Sequence, residues 1–429
     1  MNDKNKKNEK TRQESTKRKE IDEKINGVLN ENLTKLLIRL AIPVMLSTLL
    51  QTFYNLTDTF WVGRLGSYAI ASVTLSFPII FLTISLASGI GIGGSILMAH
   101  SAGKNFNKKN KNWKKDLELI LSQTFMLLFI ILLVFSIFGF VFAEKLISLF
   151  TKEPLVFNNG VLYLRTMFLG FVIMFPYYIF EATLRALGDT KTPLKFVLIS
   201  VLTNIILDPF LIFGIWPFPK MGVLGAAIAT VFSIGFVSFI AVYHLLKGTY
   251  GLRIRLSFMK PNFYTIKEIL KLGIPLFFDN GSIGLGNFLL LSIVSLFGTA
   301  SIAAYGIISR LFSLLTLPAN GISVSVSTIV AQNFGAKNLK RIFETMSEAF
   351  KIGSKLMFFI ISIVFLFSKF IVKIFTNDVE VIYNANIFLK LLSPFLMFLL
   401  FRNIYLGFFR GIKHANLSMI INFAHNFVF

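Results

Sequence analysis

Cysteine is absent from this 429-residue chain, which excludes disulfides and any thiolate-ligated metal. Histidine is scarce, and His100, His244, His414 and His425 stand apart from one another with none of the spacings that build a metal centre. Charge is also scarce: 15% of residues are charged, against about a quarter in soluble domains. Acidic residues are the rarer sign, 21 against 43 Lys and Arg, so the formal net charge is +22. An excess of this size raises the question of nucleic acid. The basic residues, however, collect in particular segments between apolar runs, as in the cytosolic loops of a membrane protein, so no nucleic-acid partner is expected. Apolar side chains take up the rest of the chain, 55% of all residues, with a mean hydropathy of +0.71. Only a multi-span membrane protein fits this composition.

Apolar stretches long enough to cross about 30 Å of hydrocarbon fall at roughly 36–62, 69–101, 118–142, 160–186, 193–213, 222–246, 267–297, 301–333, 354–375 and 386–410. Another begins near Ala415. Residues 1–35 carry Lys, Glu and Asn with no apolar core, neither a signal peptide nor a span, and read as a polar, disordered cytosolic tail. The even-numbered connections are basic: Lys104, Lys108, Lys109, Lys111, Lys114 and Lys115, then Arg185, Lys191 and Lys195, then Lys247, Arg253, Arg255 and Lys260. Lys337, Lys340 and Arg341, and finally Arg410 and Lys413, continue the series. These loops and the N-terminus are therefore expected on the cytosolic side of the inner membrane.

The chain repeats itself. Residues 40–105 align without a gap on 272–337, a shift of 232, with 15 identities in 66 pairs where about 5 would arise by chance. Ile42-Pro43 falls on Ile274-Pro275, Asn55 on Asn287, Gly66 on Gly298, Ile70-Ala71 on Ile302-Ala303, and Gly89-Ile90 on Gly321-Ile322. At a shift of 225, Phe150-Thr151 matches Phe375-Thr376 and Arg185 matches Arg410. An even number of spans per repeat gives two parallel lobes related by a pseudo-twofold axis along the membrane normal. The boundaries are 36–246 for the first lobe, 247–266 for a cytosolic linker, and 267–429 for the second. Phe429 corresponds to Asn204, so the expectation is a second lobe truncated after the start of helix 11.

Acids inside spans mark function, because a carboxylate at a helix centre costs about 2.5–3.5 kcal/mol on insertion scales. Asp58, Glu181, Asp208 and Asp279 are the candidates, and Arg310 and Arg402 the deep basic ones. Asp58 lies near the outer end of the first span, where it could instead snorkel to the interface. Asp208 precedes Pro209, a sequence that also suits the N-cap of a broken helix. Tyr54 and Asn204 each stand four residues before an acid, hence on the same helix face. Asp279 and Arg310 sit at similar depth and suggest a buried ion pair; Glu181 and Arg185 suit a helix-surface pair. Gly89 to Gly94 spells a dinucleotide-binding pattern, but it lies inside an apolar span with no preceding strand, where small residues serve close helix packing.

At Asp58-Thr59-Phe60-Trp61-Val62-Gly63-Arg64-Leu65-Gly66, Ala186-Leu187-Gly188-Asp189-Thr190-Lys191-Thr192-Pro193 and Asn204-Ile205-Ile206-Leu207-Asp208-Pro209 the sequence resembles the multidrug and toxic compound extrusion (MATE) family. The prokaryotic DinF-type branch is the most similar. The resemblance runs from about Leu36 to Phe429 and implies twelve helices in two six-helix lobes. It implies an antiporter, not an enzyme, that exports drug-like organic cations or amphiphiles against inward H⁺ or Na⁺, as a monomer among lipids and without a cofactor. By the same resemblance Asp58, Asp208, Asn204, Tyr54 and Thr230 form the cation or proton site, which would also hold any Na⁺, and Pro43 is a bending point of the first helix. The seventh-helix glutamate of some members is replaced here by Ile283. A lipid-linked oligosaccharide flippase of the same superfamily is the alternative, and would need a more cationic cavity than Arg310 and Arg402 supply. A membrane-embedded enzyme would need a convergent His/Glu or Ser/Lys constellation, and none is visible.

Overall fold

The computed structural model describes residues 19–106, 113–297, 299–375 and 378–427. Residues 1–18, the loop lysines 108, 109 and 111, and Gly298, Thr376 and Phe429 of the repeat lie outside them, as do the side chains of Asn287, Ile302 and Ala303. Every element among the described residues is helical. The order is α1 (residues 19–30), α2 (Leu33–Gly63), α3 (Ser67–Phe106), α4 (Trp113–Ser148), α5 (Pro154–Ala186), α6 (Lys191–Phe213) and α7 (Val223–Lys247). After a connection come α8 (Phe263–Val294), α9 (Thr299–Leu315), α10 (Leu317–Gly335), α11 (Leu339–Lys373), α12 (Val379–Leu392), α13 (Leu396–Gly411) and α14 (Ala415–Phe427). Nine helical stretches among the described residues are long and apolar enough to cross a membrane.

The apolar runs become helices because a bilayer interior offers the backbone no hydrogen-bond partner but its own chain. Two expected spans are broken. α9 gives way to α10 at Thr316, just before Pro318, and α12 to α13 through a 3₁₀ turn at Ser393–Phe395 that contains Pro394. Proline lacks the N–H that would continue the ladder, so each break sits where the sequence withdraws a donor.

The polar tail is more ordered than its composition suggests. Residues 19–30 form a helix whose Ile21, Ile25, Val28 and Leu29 are buried. Their spacing puts four apolar side chains on one face, and burial of that face holds the helix in place. The connection after α7 is likewise no free linker. Gln123 of α4, fully buried, donates to the carbonyls of Phe258 and, at 2.8 Å, Lys260, and accepts from the Asn262 N–H at 2.9 Å. Arg255 pairs with the buried Glu118 and its N–H donates to Ser122 Oγ at 3.0 Å. Asn262 then caps α8 by accepting from the Thr265 N–H.

Helices α2 to α7 pack on one another, as do α8 to α14, and the two sets meet where α3 contacts α8 and α10, and α2 contacts α10. Glycines set the closeness of this seam. A Cβ on Gly89 would stand 2.8 Å from the Gly273 carbonyl oxygen, and one on Gly321 would stand 2.9 Å from that of Ala41. A Cβ on Gly103 would collide with the Gln332 carbonyl, and one on Gly335 with that of His100. The partners exchange: at the shift of 232, Gly89 and Gly273 become Gly321 and Ala41, and Gly103 and Gln332 become Gly335 and His100.

Candidate cation-coupling site

Four helices bring polar side chains together inside the first set. α2 supplies Tyr54 and Asp58, α5 Tyr163, α6 Asn204 and Asp208, and α7 Thr230. Asp208 and Asn204 are completely buried, and Thr230 and Tyr163 nearly so. The Tyr54 hydroxyl donates to Thr230 Oγ1 at 2.8 Å, and Asn204 Nδ2 donates to Asp208 Oδ1 at 3.2 Å. Asp58 and Asp208, 150 positions apart in sequence, lie within electrostatic range of each other, and both act on Tyr54 and Tyr163. Three buried acceptor oxygens here have no hydrogen-bond donor among the described residues: Asp58 Oδ1, Asp208 Oδ2 and Asn204 Oδ1.

Local sequence explains the placement. α6 continues through Pro209 to Phe213 and closes on Gly214 with φ +74°, so Asp208 lies within the helix and caps nothing. One helical turn separates Asn204 from Asp208, which puts amide and carboxylate on one face. Asp58 sits five residues before the end of α2 and is partly buried. All five residues expected at the site, Tyr54, Asp58, Asn204, Asp208 and Thr230, lie on the helices that converge here. Tyr163 was not anticipated, because nothing in its local sequence distinguishes it from other tyrosines in apolar spans.

The expected pair in the second set is not formed. Arg310 is exposed, and the partner of Asp279 is Arg410 of α13, whose Nη2 stands 2.8 Å from Oδ2. Ser418 Oγ donates to the same oxygen at 2.8 Å, and Asn422 Nδ2 donates to Oδ1. Similar depth placed Asp279 and Arg310 together, but depth does not fix the direction in which a helix points a side chain. α8 turns Asp279 toward α13 and α14, and the carboxylate is saturated there. Ile283 is 41% exposed, so the second set offers no acid at that position. Glu181 and Arg185 pair at 2.5 Å, but Glu181 is buried rather than on the helix surface. Arg402 is partly buried, and its Nη2 reaches only Asn403 Oδ1 at 3.4 Å.

The MatE family model matches residues 43–210 and 275–429. This chain belongs to the MATE family. It is 30% identical to the probable multidrug resistance protein YoeA of Bacillus subtilis over 80% of this chain and 74% of that one. It is 28% identical to the probable multidrug resistance protein NorM of Thermotoga maritima over 91% and 82% of the two chains. The crystal structure of a MATE protein in the straight conformation superposes with a TM-score of 0.86 at 25% identity, covering 94% of this chain and 88% of that one. The MATE member described here is thus a multi-pass membrane protein of a multidrug-efflux transporter family, and not an enzyme.

Proposed function

We propose that this MATE protein is an antiporter that couples inward movement of H⁺ or Na⁺ to export of cationic or amphiphilic organic compounds across the cytoplasmic membrane. The observation that carries the reading is the set of three buried, donor-less oxygens on Asp58, Asp208 and Asn204. Two carboxylates beside one another, shielded from water, hold a proton or a cation far more readily than either would alone. Carboxylate, amide and hydroxyl oxygens are hard donors that suit Na⁺ as well as a proton. The residues that would hold the ion are Asp58, Asp208, Asn204 and Thr230, with Tyr54 orienting Thr230 through its hydroxyl.

Neutralising the acids removes their mutual repulsion and favours a closer packing of α2 on α6, which biases an equilibrium between two arrangements of the protein. One charge moving inward down the membrane potential supplies about 2.3 kcal/mol per 100 mV. In the proposed orientation the basic loops and the N-terminus are cytosolic, and the seam of Gly103, Gly335, Gln332 and His100 lies at the cytosolic ends of α3 and α10. The state described here is then closed at its cytosolic face. The reciprocal glycine contacts support two lobes related by a twofold axis along the membrane normal.

The test is ethidium efflux by protein reconstituted in liposomes, with pH and Na⁺ gradients imposed separately. Asp58→Asn and Asp208→Asn should each abolish gradient-driven efflux while the protein still folds, since each removes a titratable, ion-binding group at constant volume. Undiminished efflux by Asp58→Asn would remove the assignment.

A further inference from the structure

Helix α1 touches both lobes at once. Toward the first lobe, Lys24 Nζ forms an ion pair with Asp189 Oδ2 at 2.7 Å, in the turn between α5 and α6. Gly188 of that turn, at φ +82°, lies so close that a Cβ there would stand 2.7 Å from Val28. Ile21, Ile25 and Leu29 are buried in a cluster with Leu187, Val197 and Leu252. Toward the second lobe, Arg341 in the first turn of α11 donates to the carbonyls of Val28, at 3.3 Å, and Glu31. Val28 itself packs in a cluster with Ile329, Val330 and Ile342. Just beyond α1, Thr34 donates to Glu348 of α11 at 3.0 Å.

We propose that α1 is a latch across the closed face of the transporter, gripping the α5–α6 turn with Lys24 and the start of α11 through its last carbonyls. The inference rests on the alternating-access reading, because it gives α1 a role only if the lobes part at this face. Opening there must pull Asp189 and Arg341 away from each other, so α1 has to release one of them. Its contacts therefore belong to one of the two states and weight the equilibrium toward it. α1 acts on the positions of the lobes and touches neither cation nor substrate.

The absence of cysteine makes the test direct. Ala331 of α10 is buried in the cluster that also holds Ala99 and Ala102 of α3, so Ala331→Cys reports opening of the seam by its rate of maleimide labelling. In full-length protein in liposomes, Lys24→Glu and, separately, Arg341→Ala should each raise that rate about threefold, the effect of losing a partly exposed polar contact. Lys24→Glu with Asp189→Lys should bring it back toward the parent value. Arg341→Ala keeps the test decisive if the charge reversal fails to fold. Unchanged labelling in both single variants overturns the latch. The parent Ala331→Cys protein under imposed H⁺ or Na⁺ gradients separates the two readings. If its labelling responds while the variants have no effect, only the latch is wrong; if it never responds, alternating access falls and the latch with it.

Discussion

At the scale of single residues, the two lobes treat their buried acids in opposite ways. Asp58 and Asp208 keep oxygens with no donor, whereas Asp279 accepts from Arg410, Ser418 and Asn422. A carboxylate whose oxygens already accept three bonds has no place for a coupling ion. Asp279→Asn should therefore leave the ion dependence of transport intact and lower thermal stability, because it strands Arg410 inside the protein. Removing one partner of a buried pair costs about 3–5 kcal/mol. Arg310→Ala, at an exposed position, should leave the melting temperature unchanged; equal losses in the two variants would revive the Asp279–Arg310 pair. Asp189, outside the membrane, is a different case. Burial pushes its carboxyl up, but the bonds from Lys24 and Thr192 outweigh that and hold it below the usual carboxylate range. Its folded value is depressed, so the stability it lends is present above the unfolded value of 3.8 and disappears only as pH falls below that. Tyr250 also faces it, its hydroxyl pushed above its ordinary value by burial and by the Asp189 carboxylate.

Helices were the most legible level in the sequence. Hydropathy located the spans because the bilayer imposes length and apolarity on each, but the breaks beside Pro318 and Pro394 were not legible, since Pro43, Pro78, Pro176, Pro209 and Pro275 lie inside unbroken helices. α1 escaped because its four apolar residues are diluted by charged neighbours; only their helical spacing betrays a buried face. Around Asp58 and Asp208, Tyr54 and Asn204 were legible through four-residue spacing within a helix, which fixes a shared face, whereas Thr230 was reached only through the family resemblance. Tyr163 and the Asp279–Arg410 pair depend on how helices rotate against one another over long sequence separations, and local pattern carries no record of that. Of the glycines between 89 and 94, read from sequence as a licence for close packing, Gly89 and Gly93 sit at backbone-to-backbone contacts between lobes, as does Gly103, while Gly94 packs on the Thr124 side chain. Gly103→Ala tests that reading, since its methyl group must displace the Gln332 carbonyl. The expected result is a protein that folds but opens at this seam, labelling Ala331→Cys faster than its parent. A rate equal to the parent's would mean that the helices accommodate the methyl group without parting.

For the whole molecule, the alignment divides the chain into two lobes joined by residues 247–266, and the structure ties most of that connection to the first of them. Through Gln123, Ser122 and Glu118, the segment up to Asn262 is bound to α4. Under the alternating access proposed above, relative motion of the lobes would be taken up beyond Asn262, within α8, where Pro275 leaves one carbonyl without its helical donor. The practical consequence concerns where the gene can be divided. A first-lobe fragment ending at Asn262 keeps every partner of Gln123 and a counter-ion for Glu118, and should be recovered from detergent as a monodisperse species. A fragment ending at Lys247 leaves the buried Gln123 amide without its partners and Glu118 with only the Lys114 ammonium, 3.9 Å away, and should aggregate. Equal recovery of the two would mean that these bonds form only after the second lobe has docked. Otherwise, anyone building a split transporter from this chain should cut after Asn262 rather than at the start of the 247–266 connection.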